Sequence, residues 1–342
     1  HAISSTSCPL IRRRSMPIVV RRSRRFTPVP RARLARLFRT AAAACAALLL
    51  AGGCTPAAVR SDPSPFPPAG TSLTGAPIES FVETSTLSLA LDRIDQRALP
   101  LDQTYRHVGS GRGVTVYVFD GGILDSHPEL AGRVRRGYDA FPDEQPVCNA
   151  HGTAVAGAVA GATLGVAADA EIVDVRMVDC RHMRGTIDAI VRGTRWVVAD
   201  AARHPERRAV ANWSFIADTS RRVAALDSAV SALRAAGIPV VVAAGNLEMD
   251  ACRIAPGNSP GAIVVGASRV RRSLDAGGAL LDERAPNTAY GPCIDLFAPG
   301  DSVLLPSMDA RGRGVSQLWN GTSMSAGYVS GAAALFLEAH PS

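Results

Sequence analysis

From Gly113 onward the sequence predicts an α/β domain with a central parallel sheet and helices on both faces. Two observations lead there. Short apolar runs, largely β-branched and bounded by turn residues, recur along the chain, as strands buried on both faces do. Between several of them, apolar residues return at helical spacing, and such alternation implies strand–helix–strand crossovers. In order, the predicted strands are Val114–Phe119, Ile172–Val178, Val210–Phe215, Val240–Ala244, Ile263–Val265 and Ile294–Phe297. A helix is predicted over Thr186–Arg203, with Ile187, Ile190, Val191 and Val197 on its apolar face. A second runs over Arg221–Ala236, with Val223, Leu226, Val230 and Leu233, and Gly237 stands where a helix end wants a left-handed residue. Sites in such sheets form at the carboxyl ends of strands. Asp120 and Asn246 follow two of those ends.

The 342 residues allow one large domain with additions. The formal charge of +7 misleads, because eleven Arg and no acidic residue precede Cys54. The remainder has 26 basic against 30 acidic residues, so the charge gives no ground for a nucleic-acid partner. The Arg-rich start, the Ala/Leu run Thr40–Leu50 and the small residues before Cys54 make residues 1–54 an export leader. That apolar run is too short to span a bilayer, which takes about 20 residues. Two fates stand open for it: cleavage and secretion to the extracellular or periplasmic side, or a lipoprotein signal that lipidates Cys54 and gives the only membrane contact. Residues 55–85, rich in Pro, Ser, Thr and Ala, suit a solvated linker or short pro-segment. Residues 86–342 form the remaining domain, expected to act as a monomer.

Three segments carry chemistry, in this order: Phe119-Asp120-Gly121-Gly122, His151-Gly152-Thr153, and Gly321-Thr322-Ser323-Met324-Ser325. Asp, His and Ser in that order is one of the arrangements in which a carboxylate orients a base that activates a serine. Over Leu89 to the end the chain resembles the subtilisin family of serine peptidases, and more closely its proteinase K branch. The resemblance implies a subtilisin-like three-layer fold. It makes Ser323 the nucleophile, His151 the general base and Asp120 its orienting carboxylate. Asn246, in Ala244-Gly245-Asn246, becomes the side-chain donor of the oxyanion hole, with the Ser323 N–H as second donor. Substrate would lie along Ser214, Phe215 and Ile216, and along Ala243, Ala244 and Gly245.

The same resemblance implies further features. No cofactor is required for the chemistry. A structural calcium ion is implied at Asp295, with the carbonyls of Pro260 and Ala262; from the residues alone, Asp295 reads equally as a strand-edge charge. Four cysteines remain outside the leader, and four allow three pairings. Their spacing resembles thermophilic proteinase K relatives, which implies Cys148–Cys180 and Cys252–Cys293. Zinc is the alternative, with Cys148, His151, Cys180 and His182 as ligand types.

The sequence departs from the family in three places. Phe215-Ile216-Ala217 replaces a Leu-Gly-Gly-type segment and narrows or reshapes the primary specificity pocket. Ala154 replaces a His, and Gly327-Tyr328 replaces Pro-His after the serine. Relatives also carry further helical sequence beyond the point where this chain stops, so the domain is read as truncated there. Two motifs are set aside. Gly257-Asn258-Ser259-Pro260-Gly261 matches a hydrolase elbow but is followed by a strand-like run, and Gly109–Gly113 precedes a strand, which rules against dinucleotide binding. The expectation is an exported serine endopeptidase acting on proteins and peptides with loose apolar preference. The alternatives are an envelope protein that kept the fold and lost turnover, and an esterase on the same triad.

Overall fold

The computed structural model describes residues 82–86, 88–273 and 277–340. The leader and most of the linker lie outside the described residues. In chain order the elements are β1 (Val82–Ser85), α1 (Leu89–Ile94), β2 (Thr104–His107), β3 (Val114–Asp120), β4 (Val134–Asp139), α2 (His151–Ala160) and β5 (Glu171–Arg176). Then follow β6 (Val178–Asp179), β7 (Arg184–Gly185), α3 (Ile187–Arg203), β8 (Arg208–Trp213), α4 (Ala224–Ala235) and β9 (Val240–Ala243). The last are β10 (Ile263–Arg272), β11 (Leu280–Arg284), β12 (Leu296–Pro299), β13 (Val303–Met308), β14 (Gly314–Trp319) and α5 (Thr322–Ala339). The end of the segment expected to be a linker is part of the fold, since Val82–Ser85 pairs antiparallel with Thr104–His107.

The main sheet has the order β11-β10-β9-β8-β3-β5-β4, with β12 also paired to β10. Its pairings are parallel except for β11, which runs antiparallel to β10. Strand alternation divides the core in two. Val116 and Val118 face one cluster with residues of α2 and α5, and Tyr117 and Phe119 face the other with residues of α3 and α4. This is the three-layer arrangement that the alternation of elements predicts.

The two helix pairs differ in kind. α3 and α4 are amphipathic surface helices; Thr186 caps α3 by accepting a hydrogen bond from Ala189 N–H, and Gly237 follows α4 at φ 77°. α2 and α5 are rich in Ala, Gly, Val and Ser, and α2 and the first half of α5 lie largely buried. They pack closely in register. A Cβ on Gly327 would lie 3.0 Å from the Val155 carbonyl oxygen, and one on Gly331 would lie 2.8 Å from that of Val159. At Gly327, where the chain departs from the family, the glycine lets α5 lie against α2 with no side chain between them.

Two disulfides, Cys148–Cys180 and Cys252–Cys293, join the four cysteines. The first closes a 32-residue separation, a constraint of about 3–4 kcal/mol in the chain-entropy account. This bond overturns the zinc alternative, because thiolates tied in a disulfide are not available to a metal. Beneath it, buried Arg176 donates to Asp139, to Glu144 at 2.7 Å and to the Phe141 carbonyl at 2.7 Å, so the loop after β4 is held to the sheet. Among the described residues no helix is long and apolar enough to cross a membrane.

Candidate active site

The chain reverses direction across the sheet at β3. It leaves β3 for β4 and then β5 on one side, then crosses back to β8 on the other. A crevice opens at such a switch point, outside the carboxyl ends of the strands. Asp120 closes β3 there, and Ser214 follows β8.

Asp120 is 5% exposed, and both of its oxygens are engaged. Oδ1 accepts from Gly121 N–H at 2.7 Å, and Oδ2 lies 2.7 Å from His151 Nδ1. His151 opens α2, and its own N–H donates to Asn149 Oδ1 at 2.8 Å. The next residue must be small. A Cβ on Gly152 would lie 2.5 Å from the Gly122 carbonyl and 3.0 Å from the Asp120 Cβ, so only glycine lets the helix start this close to the carboxylate. Burial disfavours charge on the His151 ring, but the Asp120 charge and hydrogen bond outweigh it, and the imidazole pKa stands above the ordinary 6.5. With Nδ1 held, Nε2 is the nitrogen left to exchange a proton.

Ser323 is the second residue of α5. Val155 and Val159 lie four and eight residues after His151, and Gly327 and Gly331 stand at the same offsets from Ser323. The helix register therefore places the starts of α2 and α5, which carry His151 and Ser323, at the same end of the crossing. In this structure the Ser323 hydroxyl donates to the Ser214 carbonyl at 3.3 Å rather than to His151.

Asn246 lies just past β9 and is exposed. Its Oδ1 accepts from Thr322 N–H at 2.8 Å and from Thr322 Oγ1 at 3.0 Å, while Thr322 Oγ1 accepts from Gly245 N–H at 3.1 Å. The amide oxygen is thus pinned to the start of α5, and Nδ2 is left to point elsewhere as a donor. Of the residues expected to line the substrate path, Ala243 and Ala244 are buried in the core on opposite faces of the sheet, so neither side chain meets solvent. Gly245 is also buried, whereas Phe215 stacks on Trp213 and Ile216 is exposed. A cavity of about 400 Å³ lies beside Phe215, lined by Met177, Met183, Ile187 and Ile190.

Several contributors escaped the sequence reading. A buried chain runs from Ser330 Oγ to Asn212 Oδ1 at 3.0 Å, from Asn212 Nδ2 to Ser214 Oγ at 2.9 Å, and from Ser214 Oγ to the Ser323 carbonyl at 3.0 Å. It locks the end of β8 to α5. Its one signal was Ser330, seven residues after Ser323 and so on the same helix face. Trp319 packs its ring edge-on to His151, with centroids 6.2 Å apart, and nothing in its exposed strand announces this. As for metals, Asp295 Oδ2 accepts from Val264 N–H at 2.8 Å, which turns the carboxylate toward the 260–264 segment.

Residues 111–342 match the subtilase family model. The chain is 40% identical over 266 residues to an extracellular serine proteinase of Thermus sp. strain Rt41A, covering 77% of this chain and 60% of the relative. It is 37% identical to alkaline serine exoprotease A of Vibrio alginolyticus, over 74% of this chain and 43% of that one. A crystal structure of a cold-adapted subtilisin-like serine proteinase superposes with a TM-score of 0.63 at 36% identity, covering 75% of this chain and 86% of the other. The chain spans less than two thirds of the length of either curated relative. By these matches the chain belongs to the subtilase family.

Proposed function

We propose that this chain is an exported serine endopeptidase that cleaves proteins and peptides through Asp120, His151 and Ser323. The Asp120–His151 hydrogen bond of 2.7 Å carries the reading. It fixes the imidazole tautomer and stabilises the cation formed when Nε2 takes a proton. As the Ser323 Oγ–H hydrogen passes to Nε2, Oγ attacks the peptide carbonyl carbon, and the carbonyl electron pair moves to oxygen. Asn246 Nδ2 and the Ser323 N–H donate to that oxyanion, where the positive end of α5 also favours negative charge. The C–N bond then breaks, His151 returns the proton to the leaving amine, and an acyl group remains on Ser323. Water, deprotonated by His151, attacks the ester, releases the acid and restores the hydroxyl.

Export accords with the Arg-rich leader, the two disulfides and the extracellular proteinase among the relatives. Whether Cys54 carries lipid is decided by mass spectrometry of the exported N-terminus. A calcium ion at Asp295 belongs to stability, away from the chemistry; chelation should lower the melting temperature while leaving fluorophosphonate labelling of the folded protein intact.

The direct test is labelling by an alkyl fluorophosphonate. Wild type should be labelled at Ser323 and hydrolyse casein, and Ser323→Ala should do neither. Labelling that persists in Ser323→Ala moves the nucleophile elsewhere. Asn246→Ala should keep labelling detectable yet lower kcat by about 10²–10³, the known size of a lost oxyanion donor in this family.

A further inference from the structure

Two strand ends flank the start of α5. On one side the Ser214 carbonyl accepts from the Ser323 hydroxyl, and on the other Gly245 N–H donates to Thr322 Oγ1. A carbonyl carbon held at Ser323 Oγ, with its oxygen at Asn246 Nδ2, sits between these ends. The side chain of the residue supplying that carbonyl must enter the space between residues 214–217 and 244–246.

That space is narrow because of Ile216. Gly245 has φ 108° and no side chain, yet the room it leaves is taken. Ile216 Cδ1 lies 3.2 Å from the point a Gly245 Cβ would occupy, and Ile254 Cδ1 lies 2.9 Å from it. Ile254 is fully buried and forms the floor, whereas Ile216, 37% exposed, reaches across from the rim. Its backbone is tied on both flanks. Phe215 stacks on Trp213 with centroids 5.4 Å apart, Ala217 N–H donates to the Ala255 carbonyl at 2.8 Å, and Ala255 N–H donates to the Asp218 carbonyl at 2.8 Å. An incoming bulky side chain meets a branched residue on a segment that resists moving aside.

We infer that Ile216 restricts this enzyme to substrates with a small residue, of Gly, Ala or Ser size, on the acyl side of the cleaved bond. This replaces the loose apolar preference expected from the sequence. It rests on Ser323 being the nucleophile. Misfit of one methylene or more in a packed pocket discriminates by about 10–200-fold.

The test uses peptide substrates identical except for Ala, Leu or Phe at the residue whose carbonyl is attacked, assayed with wild type, Ile216→Gly and Ile216→Ala. In wild type, kcat/KM for Ala should exceed that for Phe by about tenfold or more. The ratio should fall in Ile216→Ala and vanish or invert in Ile216→Gly, and two variants guard against misfolding in either one. Phe used as well as Ala by wild type, or a ratio unmoved in both variants, overturns the inference. Labelling of Ser323 without cleavage of any peptide by any form also counts against it. Absence of fluorophosphonate labelling in wild type is a different failure: it removes the peptidase reading, and this inference with it.

Discussion

Asp120 and Asp174 lie on neighbouring strands, β3 and β5, where Asp174 stands opposite Val118, two residues from Asp120. They are equally buried, at 5% and 4% exposure, but their surroundings differ. Each oxygen of Asp120 has a donor, one of them the His151 ring. Asp174 has Ile123 N–H at 3.1 Å and Arg136 Nη1 at 3.8 Å on Oδ2, and Oδ1 is buried with no partner among the described residues. Burial, with help from the charges of Asp120 and Asp139 and against the pull of the Ile123 bond and Arg136, raises its carboxyl to about 7. Equal burial thus leaves the two carboxylates in different settings: both oxygens of Asp120 meet a donor, whereas one oxygen of Asp174 meets none among the described residues.

The comparison can be broken first at Asp120. Asp120→Asn should lower kcat by about 10⁴, the size known for triads of this kind, because the amide favours the wrong imidazole tautomer. With His151 as the proposed base, activity requires the neutral ring, so kcat/KM in wild type should fall on the acid side through a pKa above 6.5. Removing the Asp120 charge should move that limb down. A pH–rate profile unchanged in position would separate Asp120 from the base.

Asp174→Asn should act on stability instead. The folded-state pKa of Asp174 is raised, so its contribution is fully present below the unfolded pKa of about 4 and is lost as pH rises through about 7. Between those limits wild type should lose on the order of a few kcal/mol that the Asn variant does not. Denaturant unfolding in a Ser323→Ala background, which prevents self-digestion, measures this. Parallel stability curves for the two proteins across pH 4 to 8 would show that Asp174 is as well paired as Asp120. Its kcat should change far less than in Asp120→Asn.

The smallest effect belongs to Arg136, half exposed and shared with Asp125 at 3.1 Å. Arg136→Gln removes the cation beside Asp174 and should cost about 0.5–1 kcal/mol at pH 8 and almost nothing at pH 4. An equal cost at both pH values would mean that Arg136 acts by packing alone.

Much of this architecture was legible in the residues. Runs such as Val114–Phe119 and Val240–Ala244 announce themselves because both faces of a central strand are buried. The edges did not. β4 is Val-Arg-Arg-Gly-Tyr-Asp and half exposed, and β10 was read as Ile263–Val265 although it runs to Arg272. Its outer half is polar because it meets only β11, where Arg269 and Arg271 both reach Glu283. α2 lacked the amphipathic spacing of α3 because it is buried all round. Among site residues, the three motif residues and Asn246 stood out by their segments, whereas Ser330, Trp319 and the reach of Ile216 did not. Those contacts join residues far apart in the chain, and no local pattern encodes them.

The sequence by itself determined the class of fold, the order Asp120, His151, Ser323, and the glycines that let helices start or cross closely. Those follow from backbone sterics and the period of apolar residues, which are local. Tertiary structure alone decided that one buried carboxylate is fully partnered and its neighbour is not. It also decided that Ile216 fills the room beside Gly245. Both depend on which distant groups arrive at a site, and their donors, charges and volumes set its chemistry.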